Sequence, residues 1–116
     1  MRIKEVSDLF NIPITSLRYY EEKGLFDDVK RINGIRDYSD KDIKRLSLIL
    51  SLKQTGLKIK EIATYIQCSE TGKNNQEVCI AILEKQRKKL LDYMHQSNTS
   101  IDCIDYLIFK IEKNKR

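Results

Sequence analysis

The sequence predicts a mainly α-helical chain, a winged helix-turn-helix unit followed by one long C-terminal helix. Three observations carry that expectation. Two short segments of helical apolar periodicity are separated by Asn11-Ile12-Pro13, an Asn33-Gly34 pair sits between short β-branched runs, and no glycine or proline occurs from Gln76 to Glu112.

In the first helix Ile3, Val6, Leu9 and Phe10 fall at helical spacing, and Pro13 ends it by fixing its own φ and pushing the preceding residue out of the helical region. A second helix begins at Ile14, with Leu17 and Tyr20 or Glu21 one turn on, and Gly24 after Lys23 is the expected left-handed stop. Helix, three-residue turn, helix is the arrangement that presents its second helix to the DNA major groove. Helical periodicity then lapses. Asn-Gly suits a tight primed turn because both central residues need positive φ, so Val29 to Ile32 and Ile35 to Tyr38 are expected to pair as a wing.

Ser39 reads as an N-cap, with Asp40 and Asp42 in the first turn where the helix dipole favours acids. Ile43, Leu46, Ile49 and Leu50 form that helix's apolar stripe, and Gly56 ends it. Ile59, Ile62, Ala63 and Ile66 mark a further helix to about Cys68. The polar stretch SETGKNN marks a linker, so the expected division is residues 1–68, a linker at 69–75 and a terminal helix at 76–116.

Along that terminal helix Cys79, Leu83, Leu90, Tyr93, Ile101, Ile104, Ile108 and Ile111 recur, mostly at steps of three, four or seven. A helix of that extent would be roughly 55 Å long at about 1.5 Å per residue, more than the preceding domain can cover. A narrow apolar seam with charged flanks is what a two-helix coiled coil presents, and a homodimer covers it most simply. The stretch HQSNTS, His95 to Ser100, breaks the heptad with poor helix formers, which implies a stutter or a helix hairpin.

Composition sets bounds on function. Lys and Arg total 22 against 17 Asp and Glu, a net charge of +5 spread over both halves, so any nucleic-acid face has to be local. No apolar run reaches bilayer length and the start lacks a secretory core, which implies a cytoplasmic protein with no membrane partner. Three widely spaced cysteines, Cys68, Cys79 and Cys103, without a CxxC, imply reduced thiols. There is no nucleophile-base pair, carboxylate dyad or phosphate-cradling glycine loop, so neither an enzyme nor a cofactor is expected.

The segment RYYEEKGLF concentrates the interaction-prone side chains. Arg18 can reach a phosphate or a guanine edge, and Tyr19 and Tyr20 can donate to phosphate oxygens. Alternatively Tyr20 packs with Leu17, and Arg18 pairs with Glu21 or Glu22 at helical spacing. Thr15 and Ser16, in the first turn, are base-edge candidates or capping groups. Lys30, Arg31, Asn33, Arg36 and Tyr38 make a basic patch on the wing that could track a phosphate backbone or stand as a solvated hairpin. Cys103 is either a reactive thiol or a small apolar seam residue.

Together RYYEEKGL, NGIRDYS, LKQTGLKIKEI, a linker and a long terminal helix resemble, in order and spacing over the whole chain, the MerR family of transcription regulators. The resemblance implies a homodimer whose long helices, carrying Leu83, Leu90, Tyr93, Ile101, Ile104, Ile108 and Ile111, pair antiparallel. It also implies a palindromic operator in double-stranded promoter DNA, distorted when a small-molecule or stress effector binds near the dimer helix, with RNA polymerase as partner. By family position Arg36 and Tyr38 are the strongest wing contacts, and Lys53 and Lys60 fall in a second wing. Cys79 lies near a metal ligand of metal-sensing members, but the remaining ligands are missing and no metal is expected. The short terminal region resembles the aldehyde- or thiol-stress branch. Asp27 and Asp28 depart from the family pattern and would repel phosphate, which keeps open an interaction module that dimerises without binding DNA. Ile35 departs as well, replacing an aromatic residue often found before the wing arginine.

Overall fold

A computed structural model describes residues 1–70 and 75–115. The elements follow in the order α1 (Ile3–Phe10), α2 (Ile14–Glu22), β1 (Lys30–Ile32), β2 (Ile35–Asp37), α3 (Asp40–Gln54), α4 (Ile59–Glu70) and α5 (Gln76–Asn114). Two compact units result, Met1–Ile80 and Ala81–Arg116.

Local chemistry explains most boundaries of the first unit. Asn11 stops α1 in the left-handed region at φ 53°, with its N–H bonded to the Asp8 and Ser7 carbonyls, and Pro13, in extended conformation, is the N-cap of α2. Gly24 at φ 76° and Gly56 at φ 86° follow the C-caps of α2 and α3, conformations that an L side chain adopts only at a cost. Ser39 caps α3 in a reciprocal box: the Asp42 N–H donates to Ser39 Oγ at 3.2 Å and the Ser39 N–H to Asp42 Oδ2 at 2.9 Å. That exchange satisfies two backbone donors at the helix start and accounts for a buried carboxylate.

Val6, Leu17, Leu25, Leu46, Ile49 and Ile62 are fully buried and bring α1, α2, α3, α4 and the turn after α2 onto one core. Leu9, expected on the inner stripe of α1, is instead 61% exposed. Asn33 and Gly34 both take positive φ, and β1 pairs antiparallel with β2 in the register Lys30 with Asp37, Arg31 with Arg36, Ile32 with Ile35. The expected strands began at Val29 and ended at Tyr38. Both residues are buried, at 7% and 2% exposure, so the core claims the ends of the wing and leaves a shorter ladder.

Arg45 joins three parts of this unit. Its guanidinium donates to the Leu25 carbonyl at 2.9 Å, lies 3.7 Å from Asp27 and pairs with Glu70 at the end of α4. Lys41 also pairs with Asp27 at 3.2 Å, so that acid, which the sequence left as a source of repulsion, is committed to a cationic pair. Ser69 and Glu70, expected in the linker, are instead the last two residues of α4, which continues because Glu70 finds Arg45 and Ser69 Oγ donates to the Ile66 carbonyl at 2.8 Å. The rest of the expected linker up to residue 74 lies outside the described residues.

The helix α5 is continuous over 39 residues, so the hairpin alternative at His95 to Ser100 does not hold. Ser97, Thr99 and Ser100 donate their hydroxyls to the carbonyls of Tyr93, His95 and Gln96 at 2.9, 3.2 and 3.0 Å. Each bond runs back one turn, so these residues satisfy their polar groups without leaving the helix. Leu90, Tyr93, Ile101, Ile104, Ile108 and Ile111 are between 48% and 71% exposed, and Leu83 is 38% exposed. Among the described residues no helix is long and apolar enough to cross a membrane.

The two cations on Asp27 differ in burial, the side chains of Arg45 and Lys41 being 10% and 76% exposed. Arg45→Ala leaves a carbonyl and two carboxylates without their donor and should cost about 1–3 kcal/mol. Lys41→Ala removes a solvent-screened pair and should cost at most about 1 kcal/mol. Urea unfolding at one fixed chain concentration measures both.

Candidate nucleic-acid interface

The second helix and the wing are brought together by Glu21. Its carboxylate accepts from Arg36 Nε at 2.7 Å and lies 3.9 Å from Arg31 Nη2. Arg31 and Arg36 are directly opposite in the hairpin register, a placement of like charges that destabilises a strand pair unless an anion stands between them. Glu21 is that anion, on an adjacent element.

This pairing removes one of the two acids that the sequence offered to Arg18. Glu21 is taken by the wing, and among the described residues no ion pair holds Arg18, which is exposed. Arg18, Glu21, Glu22 and Arg36 line one shallow depression. Thr15 is exposed and Ser16 half-buried in the first turn of α2. No side chain caps that helix, so neither residue acts as its N-cap.

A second depression is lined by Tyr19 and Lys23 of α2 and by Ile59, Lys60 and Ala63 of α4. Lys23 Nζ sits 5.7 Å from the centre of the Tyr19 ring, within range of a cation-π attraction. Tyr19 is 44% exposed and Tyr20 only 6%, so the adjacent tyrosines divide between surface and core. Lys53 is exposed in the last turn of α3, across Gly56 from Lys60.

On the wing, Lys30, Arg31 and Asn33 are exposed and Arg36 is half-buried. Arg31 Nη1 also donates to the Gly34 carbonyl at 3.5 Å, closing the turn. Tyr38 is not on this surface. It lies beneath the wing, edge-on to Phe26 with ring centroids 5.9 Å apart, and among the described residues its buried hydroxyl has no partner at hydrogen-bond distance. Burial first, then the nearby Glu21 charge, raises its phenol above the ordinary tyrosine range, and burial does the same to Tyr20. The Tyr38 N–H donates to the Met1 carbonyl at 2.7 Å, and the Met1 amino group donates to Asp37 Oδ1 at 2.8 Å. That last bond raises the amino group and lowers the Asp37 carboxyl from their ordinary values.

The cysteines are dispersed. Cys79 is buried and donates its thiol to the Tyr65 carbonyl at 3.7 Å, Cys103 is exposed, and among the described residues no group of three or more His, Cys, Asp or Glu could hold a metal ion. Glu21 and Arg45 are the residues that sequence reasoning missed. Glu21 was weighed only as a helical neighbour of Arg18, and Arg45 is one basic residue among several on α3; nothing in the local pattern marks their distant partners.

A buried hydroxyl without a partner is desolvated with no bond to offset the loss, so Tyr38→Phe should be neutral or slightly stabilising at neutral pH. A folded-state pKa raised above the unfolded value gives stability that is fully present below about pH 10 and lost as pH rises through the folded value. Urea midpoints from pH 8 to 11 should therefore fall with rising pH, and fall less in the Tyr38→Phe variant.

Comparison with known proteins agrees with this geometry. Residues 1–68 match the family model for the MerR HTH family regulatory proteins. The HTH-type transcriptional regulator AdhR of Bacillus subtilis is 36% identical over 93 residues, covering 79% of this chain and 66% of AdhR. An uncharacterized HTH-type transcriptional regulator of Haemophilus influenzae is 29% identical over 112 residues, covering 96% of this chain and 83% of that protein. Among solved structures, HiNmlR, a MerR family regulator lacking the sensor domain, bound to promoter DNA, superposes with a TM-score of 0.73 at 28% identity, over 98% of this chain and 91% of that one. A MerR family regulator from Listeria monocytogenes superposes at 0.76 with 26% identity, over 93% and 83% of the two chains. The chain belongs to the MerR family of helix-turn-helix transcription regulators.

Proposed function

We propose that this chain is a cytoplasmic, non-enzymatic regulator that binds a palindromic promoter operator in double-stranded DNA as a homodimer, responds to a small-molecule or stress effector, and distorts the promoter so that RNA polymerase can use it. Residues 1–68 make the DNA-binding unit, and the helix from residue 76 makes the dimer. The observation that carries the reading is Arg18, an exposed guanidinium that no ion pair holds among the described residues, beside a wing whose two arginines take Glu21. A surface that keeps such a cation beside a basic hairpin suits a polyanion. HiNmlR, lacking a sensor domain and bound to promoter DNA, supports it by overall similarity.

In this reading Thr15, Ser16 and Arg18 face base edges, and Tyr19, Lys30, Arg31, Asn33, Arg36, Lys53 and Lys60 follow the phosphates. Tyr20 and Tyr38 support them from the core. Asp27 repels little, because Lys41 and Arg45 hold it. Cys79 packs against α4, which leaves the exposed Cys103 as the thiol open to an effector.

Gel shift on the promoter of its own gene tests the proposal. Affinity should fall on the order of a thousandfold between about 50 and 200 mM salt for about six phosphate contacts. Arg18→Ala should weaken binding by about 1–3 kcal/mol, whereas Tyr38→Phe, which removes a buried group, should leave it within about twofold. Absence of a shift at low salt would overturn DNA binding, and a strong loss in Tyr38→Phe would return that residue to the interface.

A further inference from the structure

Glu21 and Glu22 are adjacent acids at the end of α2, and both line the depression that they share with Arg18 and Arg36. On charge alone each of them opposes a polyanion. Their partners differ. Glu21, with a side chain only 21% exposed, accepts from Arg36 Nε at 2.7 Å and lies 3.9 Å from Arg31 Nη2. Glu22 is exposed, and among the described residues nothing pairs with its carboxylate. It follows Arg18 by four residues, the order in which a base and an acid pair less well along a helix.

The atom through which Glu21 holds Arg36 decides what that arginine can still do. A guanidinium is a planar fork of N–H donors, and Glu21 engages it at Nε. Among the described residues the N–H groups of Nη1 and Nη2 have no partner, so the contact leaves free the forked end that suits a phosphate. Glu21 also steadies Arg36 beside Arg31, which the hairpin register sets directly opposite and which would otherwise push it out of line. An arginine held before DNA arrives has less rotamer freedom to lose on binding. Resting on the DNA-binding reading, we infer that Glu21 is a positioning residue that strengthens DNA binding in spite of its charge. It holds Arg36 so that the free Nη groups and Arg18 share one backbone phosphate, whereas Glu22 only repels that phosphate. Two neighbouring acids on one rim therefore act in opposite directions.

Gel shift of the full chain on the promoter of its own gene separates the two acids. Glu22→Gln should tighten binding, by up to about fivefold at low salt. Glu21→Gln makes the same change in net charge one residue away, yet it should weaken binding by about fivefold or more, with a salt dependence shallower by about one phosphate contact. In an Arg36→Ala background Glu21→Gln should no longer weaken binding, because the residue it positions is gone. Glu21→Asp keeps the charge on a shorter side chain and should weaken binding as Glu21→Gln does. Urea unfolding of each variant gives its folded fraction, and affinities are compared at equal folded concentration. Tighter binding by Glu21→Gln, unchanged binding by Glu21→Asp, or an equal loss with and without Arg36 would each overturn the positioning role and leave DNA binding standing. No shift of the unmodified chain at low salt would overturn both.

Discussion

One carboxylate sets the geometry of the candidate DNA surface. Glu21 accepts from Arg36 and approaches Arg31, two cations that the hairpin register places opposite each other. Without that anion the wing would bring like charges together and would have no polar tie to the second helix. With it, α2 and the wing share one partly buried network. Coulombic attraction there is less screened than at an exposed pair. The same contact draws one of the two acids at helical spacing from Arg18 towards the wing.

The core beneath this surface is organised to keep it in place. Tyr38 lies under the wing and against Phe26, Tyr20 faces inward from α2, and Arg45 ties the turn after α2 to α3 and to the end of α4. Burying an arginine is favourable only when its donors are met, and Arg45 meets a carbonyl and two carboxylates. Asp27 gains a structural role from that arrangement. An acid close to a DNA-facing loop is tolerable when its charge is already paired.

The elements that could be read from sequence are those determined by neighbours a few residues away. Pro13, Asn33-Gly34, Gly24, Ser39 and Gly56 each act through local backbone geometry or capping, and each marks the boundary it was expected to mark. Tyr38 was misread because its environment comes from Phe26 and the chain start, neither of which its own segment reveals. Glu21 and Arg36 are 15 residues apart and Arg45 and Leu25 are 20 apart, so no helical or strand period could pair them. The polar run from His95 to Ser100 looked like a break on propensity alone, and i to i−4 hydroxyl bonds keep it helical.

The proposed homodimer doubles this polar network and makes readout of DNA two-fold. Selection of bound duplexes from a random-sequence library measures this directly, whatever the operator sequence is. Two-fold readout predicts enriched sequences that form an inverted repeat, with half-sites spaced for two recognition helices on one face of the duplex. Enrichment of a single asymmetric site, or no enrichment over the starting library, would contradict it.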